Sequence, residues 1–379
     1  MAMTSKKRMI LAILNKKPDR VPVAPDISNM IPARLTGKPF WDIYLNGDPP
    51  LWKAYIEAVK YFGFDGWFIY AGLRYTIPEP IQHEELERRT VEDRIIVRGL
   101  VRTPAGDMNH ETTYYRADPP TTTKHWVDSI KDDLPKIRYL FQAPTSYDPE
   151  PMKIMRREFG ELGAFGLAVG MPGFQHWFEL VEGGIAALTY AYYDHPDVIE
   201  QLRRWHHEQI VKMTEMILET RPDHLLIGAS GTITMQSPEI FRRLGLPTLK
   251  VVTRMAKEAG IPTMLHSCGK EWELVKICAE ETDLDCINPL ELPPMGDCDL
   301  AEVKREFGHR LSLMGNLHTT KVMLHGTVED VEREAKKAID DAGKGGGFIL
   351  STGDQCGRDT PDENIFRLVE VAETYGRYD

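Results

Sequence analysis

Short apolar runs alternate with amphipathic segments along most of the chain. The runs are rich in Val, Ile, Leu and Phe, which is typical of strands buried on both faces of a sheet. The segments between them space their apolar residues as an amphipathic helix does, as residues 51–62 illustrate. Eight runs have the length and the flanking turn residues of strands: residues 21–24, 64–70, 164–169, 224–228, 262–265, 285–288, 311–314 and 348–351.

The order of these elements predicts an α/β fold. Strands that alternate with helices over a long chain form a parallel sheet, and a count of eight favours a closed (β/α)8 TIM barrel over an open doubly wound sheet. We therefore predict one TIM-barrel domain over residues 1–379. Residues 85–126 differ, because polar and apolar positions alternate there. They predict an antiparallel β meander inserted near the N-terminal third of the chain.

Composition limits the functions that this fold could have. The chain is 42% hydrophobic and 27% charged, as ordinary globular proteins are, and its formal net charge of −11 argues against binding to nucleic acid. The apolar run at residues 9–14 is too short for a signal peptide, and no run has membrane-spanning length. We expect a cytoplasmic protein whose five cysteines stay reduced.

Polar or small residues follow most of the predicted strands. In a parallel barrel these positions converge on the C-terminal face, where active sites of this fold lie. They are Asp26, Ser230, Thr232, His266, Cys268, Asn288, Glu291, Asn316, His318, Asp354 and Cys356. The sequence therefore predicts that the active site is built from the loops at this face.

Three of these residues predict a zinc site. His266 and Cys268 are two positions apart, so on an extended strand their side chains point to the same side. Cys356 follows the last predicted strand and would reach the same mouth. Catalytic Zn2+ commonly takes three nitrogen or sulfur ligands and keeps a fourth position open. The remaining cysteines are expected in the core or in a loop: Cys278, Cys286 and Cys298.

Two other patterns bear on the site more weakly. Aromatic residues near strand ends, such as Trp67 and His176, are expected mainly to pack, with a few lining an aromatic substrate pocket. The segment His206-His-Glu208 lies in a charged amphipathic helix without a histidine pair at i and i+4. We interpret it as a solvated helix face.

The motifs together resemble the uroporphyrinogen decarboxylase superfamily over nearly the whole chain. They are Asp19-Arg-Val-Pro-Val23, Ser237-Pro-Glu239 followed by Pro247, His266-Ser-Cys-Gly269, Asn288-Pro-Leu-Glu291, Gly315-Asn316, Gly346-Gly-Phe-Ile-Leu350 leading to Cys356, and Pro361-x-Glu-Asn364. The Arg-Gln-Ala-Gly-Arg signature of the decarboxylases is missing from residues 24–32, which argues against porphyrinogen decarboxylation. The His-x-Cys pair and the distant Cys instead resemble the zinc-dependent corrinoid methyltransferase branch.

That resemblance implies a methyltransferase whose zinc is held by His266, Cys268 and Cys356 and whose methyl acceptor or donor is a corrinoid (cobalamin) protein. The meander and the aromatic loops favour removal of a methyl group from a small O-methyl compound, a methoxylated aromatic, with transfer to Co(I). Methyl transfer from a methylcobamide to a thiol such as coenzyme M is the alternative. A non-catalytic tetrapyrrole- or corrinoid-binding protein is a second alternative, and a homodimer is left open.

Five further residues are candidates for orienting the substrate or the metal-ligating histidine, because such a histidine usually needs a partner for its other ring nitrogen. They are Asp26, Glu291, Asn316, His318 and Asp354. A helix-capping or turn-forming role would account for each of them equally well.

Overall fold

A computed structural model describes residues 3–228 and 230–378. Its strands are β1 (Gly66–Ala71), β2 (Arg74–Thr76), β3 (Gln82–Val91), β4 (Arg94–Thr103), β5 (Gly106–Tyr115), β6 (Thr121–Lys124), β7 (Ser146–Asp148), β8 (Gly163–Val169), β9 (His224–Gly228), β10 (Thr263–His266), β11 (Cys286–Asn288), β12 (Ser312–Leu317) and β13 (Phe348–Thr352). Its helices are α1 (Ser5–Ile13), α2 (Met30–Leu35), α3 (Phe40–Tyr44), α4 (Leu51–Phe62), α5 (Leu134–Ile137), α6 (Glu150–Phe159), α7 (Phe174–Trp177), α8 (Gly184–Asp194), α9 (Pro196–Glu219), α10 (Pro238–Leu244), α11 (Leu246–Ala259), α12 (Trp272–Glu281), α13 (Leu300–Phe307), α14 (Val328–Ala342) and α15 (Asp362–Thr374). A 3-10 turn spans Arg138–Leu140, and a π-helical turn spans Thr319–Leu324.

A parallel sheet organises the chain, as the alternation of helices and strands predicts. Within the described residues it has seven strands in the order β1-β8-β9-β10-β11-β12-β13, and each neighbouring pair is parallel. The α/β class and the parallel sheet are therefore confirmed. Because all the strands run the same way, their C-terminal ends meet at one edge, and this edge carries the polar residues discussed below.

The predicted first strand, residues 21–24, is not a regular strand of this sheet. Val23 makes a single parallel bridge to Leu350, and the amide of Ala24 donates to the Leu350 carbonyl over 2.9 Å. On the other side the amide of Asp65, next to β1, donates to the Val23 carbonyl over 2.8 Å. Pro22 and Pro25 lack the N–H groups that a longer ladder needs, which explains why the pairing stops after one residue.

A buried ion-pair network holds this N-terminal segment in place. Asp65 is fully buried and accepts hydrogen bonds from Arg8 Nη1 at 2.6 Å, Arg20 Nη1 at 2.8 Å and the Val23 amide at 3.0 Å. Arg8 also donates through Nε to Asp19 over 2.7 Å. The Asp19-Arg-Val-Pro-Val23 motif thus ties α1 and the segment after it to the start of β1.

Residues 82–124 form a separate antiparallel sheet with the order β3-β4-β5-β6. All of β3 is exposed, whereas Val101 of β4 and Met108 of β5 are buried. These two side chains belong to a second core, which Phe174 and Trp177 of α7 share. The sheet therefore packs on the helices that follow β8.

Apolar side chains of α1 and of the parallel strands form one buried cluster. Met9 and Ile13 of α1 are fully buried in one cluster with strand residues such as Trp67, Met264 and Met314. Helix α1 therefore packs against one face of the sheet. None of the helices in the described part of the chain is both long and apolar enough to cross a membrane.

Candidate metal and active site

Three ionisable side chains, one thiol and two carboxyl groups, meet at the C-terminal edge of the parallel sheet. The Cys268 sulfur and one carboxylate oxygen each from Glu291 and Asp354 all lie within 4.8 Å of one another. Cys268 comes two residues after the end of β10, Glu291 follows β11, and Asp354 follows β13. The Nε2 atom of His266, the last residue of β10, is 3.9 Å from Asp354 Oδ1. The structure thus brings together four of the residues that the sequence singles out.

Burial makes this cluster electrostatically unusual. It raises the pKa of the Cys268 thiol to about 12, and the charges of Asp354 and Glu291 add to the shift. Burial also raises the pKa of both carboxyl groups, against the opposing effects of His266 on Asp354 and of the Gly269 amide on Glu291. Three groups that are anionic when deprotonated therefore share one partly buried place, where a cation would be stabilised.

The donor atoms suit zinc. Sulfur, imidazole nitrogen and carboxylate oxygen are the ligands that Zn2+ takes in proteins. The Nδ1 atom of His266 is buried and has no hydrogen-bond partner among the described residues, so one ring nitrogen is unused. The residues present therefore fit a zinc ion better than magnesium or calcium, which prefer oxygen ligands alone.

Cys356, the third predicted zinc ligand, lies outside this group of three. Its side chain is fully buried, and its amide donates to the Asp26 carbonyl over 2.8 Å. Burial raises the pKa of its thiol to about 12, and the charge of Asp26 is the next largest cause. Zinc binding by His266, Cys268 and Cys356 together stays a prediction.

The other predicted residues hold the loops around the cluster. Asp26 is buried and accepts hydrogen bonds from the amide and the hydroxyl of Ser28, at 3.0 and 2.6 Å. Asn316 donates through Nδ2 to the Leu290 carbonyl over 2.9 Å. The Nδ1 atom of His318 accepts from two amides at the start of the π-helical turn, each at 3.2 Å. These contacts give each residue a structural role, and a role in catalysis stays a prediction for all three.

Glu271 is a site residue that the sequence reasoning missed. It is fully buried, and its Oε2 accepts from the amides of Leu290 at 2.6 Å and Glu291 at 3.2 Å. Its Oε1 has no hydrogen-bond partner among the residues described. Glu271 thereby fixes the loop that carries Glu291. A charged residue just before α12 gives no signal of this burial, because acidic residues at helix starts are usually exposed.

Comparison with known proteins adds the family. The family model described as "Uroporphyrinogen decarboxylase (URO-D)" matches residues 81–375, more than three quarters of the chain. The chain belongs to the uroporphyrinogen decarboxylase family. The family named from the sequence motifs is therefore confirmed.

Curated proteins with different names resemble this chain. A methylcobamide:CoM methyltransferase, MtbA of Methanosarcina mazei, is 25% identical over 282 residues, which cover 72% of this chain and 74% of that protein. A uroporphyrinogen decarboxylase of Streptomyces avermitilis is 26% identical over 259 residues, 64% of this chain and 66% of that protein. Among solved structures, a methyltransferase from Methanosarcina mazei superposes with a TM-score of 0.66 at 19% identity and covers 98% of this chain and 99% of its own. This last likeness supports the fold.

Proposed function

We propose that this protein is a zinc-dependent methyltransferase that moves a methyl group from a methylated corrinoid protein to a small thiol. The observation that carries the proposal is the cluster of Cys268, Glu291, Asp354 and His266 at the C-terminal edge of the sheet. Relatives named methylcobamide:CoM methyltransferases support the thiol over an O-methyl compound. The O-demethylation that the sequence favoured thus becomes the competing reaction.

The zinc would be held by His266 and Cys268, with Cys356 as the third ligand expected from the family resemblance. When bound, zinc would lower the pKa of a thiol and favour the thiolate, which is the nucleophile. Glu291 and Asp354 are close enough to Cys268 to contribute a further ligand or to contact the substrate.

We assign Asp354 as the base that accepts the proton of the incoming thiol. Its pKa is raised by burial, which makes its carboxylate a better base than an exposed aspartate. The thiol sulfur would then form the new bond to the methyl group while the carbon–cobalt bond of the corrinoid breaks and cobalt keeps the electron pair. Gly269 donates its amide to Glu291, and Glu271 holds the same loop, so the carboxylates are positioned before substrate arrives.

We also infer that the seven strands and residues 21–24 close into a (β/α)8 barrel, with the antiparallel sheet as an insertion in a single domain. The hydrogen bonds of Val23 and Ala24 on either side of this segment support closure. A closed barrel would present the loops after β10, β11 and β13 at one mouth. The corrinoid protein would dock over that mouth.

Metal content and methyl transfer test the function together. The wild-type protein is expected to bind zinc stoichiometrically and to consume methylcobalamin when coenzyme M is added. Cys268→Ser should lose both properties, because a hydroxyl is a far weaker zinc ligand than a thiolate. The matched control is Cys278→Ala, which changes a fully buried cysteine in α12 and should keep both.

Two outcomes would contradict the proposal. If Cys268→Ser retained stoichiometric zinc and transferred methyl groups at the wild-type rate, the metal assignment would be wrong. If the wild-type protein ignored thiols but released a phenol from a methoxylated aromatic in the presence of cob(I)alamin, the reaction would be O-demethylation. Tight corrinoid binding without any transfer would indicate the non-catalytic alternative.

A further inference from the structure

A cavity lies beside the C-terminal end of β9, and none of Cys268, Glu291, Asp354 and His266 lines it. Its volume is about 310 Å³, and rings form most of its wall: His83, Trp126, Phe141, His176 and His206. The other lining residues are aliphatic, and none of the described residues that line it bears a carboxylate, ammonium or guanidinium group. We call it the histidine pocket. Its size and its apolar wall are those of a small-molecule site.

The histidine pocket is built where the antiparallel sheet meets helices α7 and α9. His176 of α7 donates through Nε2 to the Gly228 carbonyl over 2.7 Å. Gly228 ends β9 and pairs across the ladder with His266 of β10. One wall of the pocket is therefore fixed to the edge of the parallel sheet, and His206 of α9 forms another. The exposed-face interpretation of His206 is wrong, since the residue is only 5% exposed.

Hydrogen bonds determine which nitrogen of each neutral imidazole carries the proton. His206 Nδ1 lies 3.1 Å from Trp177 Nε1, and an indole N–H can only donate, so Nδ1 accepts and Nε2 carries the proton of the neutral ring. His176 Nε2 faces a carbonyl, which can only accept, so Nε2 carries the proton and Nδ1 keeps its lone pair. Burial lowers the pKa of both rings, which keeps them neutral at pH 7.

One donor and one acceptor are thereby left over next to each other. The two rings are perpendicular, with centroids 5.7 Å apart. Among the described residues, neither His206 Nε2 nor His176 Nδ1 has a hydrogen-bond partner, and neither belongs to the fully enclosed polar atoms that lack one. Both nitrogens thus stay accessible. Phe141 packs on His206 with centroids 4.6 Å apart and completes an aromatic wall.

We propose that the histidine pocket binds a small neutral phenol. A phenolic hydroxyl accepts from His206 Nε2–H and donates to His176 Nδ1, and its ring lies against Trp126 and Phe141. A carboxylate cannot donate to His176, and an ammonium group cannot accept from His206, so the pair selects a group that does both. A mostly apolar wall also disfavours ions. The proposal does not rest on the proposed methyl transfer.

A ligand series on the unaltered protein tests this directly. Phenol, anisole and toluene have similar rings, but anisole cannot donate and toluene can neither donate nor accept. Phenol is expected to bind at least about tenfold tighter than toluene, with anisole between them, because anisole lacks one of the two hydrogen bonds and toluene lacks both. Ligand-detected NMR titration gives the affinities, and a phenol-soaked crystal should have the oxygen within hydrogen-bond distance of both nitrogens.

Two variants separate recognition of the hydroxyl from the shape of the pocket. His206→Phe keeps a ring but removes the donor, so phenol should bind about fivefold weaker and toluene as before. The control His207→Phe changes the next residue of α9, whose Nδ1 faces Thr248 Oγ1 at 2.8 Å instead of the pocket, and should leave both affinities unchanged.

The proposal is overturned if phenol binds no tighter than toluene, if it binds outside the pocket, or if His206→Phe weakens both ligands equally. Because no corrinoid, thiol or added metal is present, failure here leaves the methyltransferase proposal untouched. If His206→Phe does not fold, the ligand series with the wild-type protein decides alone.

Discussion

Replacing Glu271 by alanine should loosen the loop that carries Glu291. The Oε2 atom of Glu271 accepts the amides of Leu290 and Glu291, and the side chain is fully buried, so no water can easily take its place. Leu290 has a left-handed backbone with φ of 62°, which a leucine adopts at a cost. The two hydrogen bonds therefore hold a strained turn as well as a site residue.

The size of the effect follows from these contacts. Each buried amide left without an acceptor costs about 1–3 kcal/mol, so two cost about 2–6 kcal/mol. Alanine also removes Oε1, a buried oxygen without a partner among the described residues. Losing its desolvation penalty offsets about 1–3 kcal/mol of this cost. The net loss of unfolding free energy for Glu271→Ala is thus about 1–3 kcal/mol. Glu271→Gln keeps one oxygen for both amides and should cost no more than about 1 kcal/mol.

Urea unfolding monitored by circular dichroism measures these losses, and amide hydrogen exchange localises them. In Glu271→Ala the amides of Leu290 and Glu291 should exchange faster, whereas Glu271→Gln should resemble the wild type. Glu273→Ala is the matched control, because that side chain is 41% exposed and makes a surface ion pair with Arg242 at 3.7 Å. It should change stability by less than about 0.5 kcal/mol. A loss below about 1 kcal/mol for Glu271→Ala, with unchanged exchange at both amides, would refute the reasoning.

Three further predictions concern the scaffold. Asp65→Asn should lower the unfolding free energy by about 3 kcal/mol or more, because Arg8 and Arg20 keep their charges without the buried carboxylate, and a loss below about 1 kcal/mol in urea unfolding would contradict this. Burial lowers the pKa of His224 from 6.5 to about 4, so the unfolded chain takes up a proton between pH 6.5 and 4 that the folded protein does not, and stability falls as the pH falls through this window. At pH 4.5 His224 lowers the free energy of unfolding by about 2.5 kcal/mol relative to pH 7.5. In parallel urea titrations His224→Leu should lack this part of the acid destabilisation, and equal destabilisation of both proteins would exclude His224 as the cause. Gly166→Ala should destabilise by about 1–3 kcal/mol, since its methyl group would collide with the His224 ring, and the penalty should shrink in a His224→Ala background.

The sequence predicted the parallel sheet because periodicity is a local property. Apolar runs such as residues 224–228 are strands in the structure with the same bounds. Residues 21–24 have the same apolar character, yet Pro22 and Pro25 limit them to one bridge. Only the structure shows that Val23 and Ala24 bond to Leu350 of β13 on one side and to Asp65, next to β1, on the other. Strand pairing depends on available N–H groups as well as on hydrophobicity, and the pattern of apolar positions does not show where N–H groups are missing.

The site was predictable in its location but not in its membership. Strand ends brought His266, Cys268 and Asp354 to one edge, as expected for parallel strands. Which atoms come within 4.8 Å depends on loop conformations, and Glu291 reaches Cys268 only because its loop turns back at Leu290. No spacing along the chain encodes that turn.

The burial of His206 could have been found from the sequence. Helix α9 buries Val198, Leu202, His206 and Ile210, which are four residues apart and form one helical stripe. The charged neighbours of His206 wrongly indicate a solvated position, because they lie on the other faces of the helix. Position on the apolar stripe was the better guide than local charge.

Several departures from local rules lie at the C-terminal edge of the sheet, which argues for function there independently of any resemblance. Leu290 and Asp354 have positive φ values of 62° and 105°, and among the described residues His266 Nδ1 and Glu271 Oε1 are buried without partners. His224 also lacks partners, but it lies in the regular strand β9 and is explained by packing on Gly166. Backbone strain, unpartnered buried atoms and crowded ionisable groups coincide at the Cys268 cluster. A fold maintains such a combination where a ligand completes it, so this edge is where metal and substrate are expected.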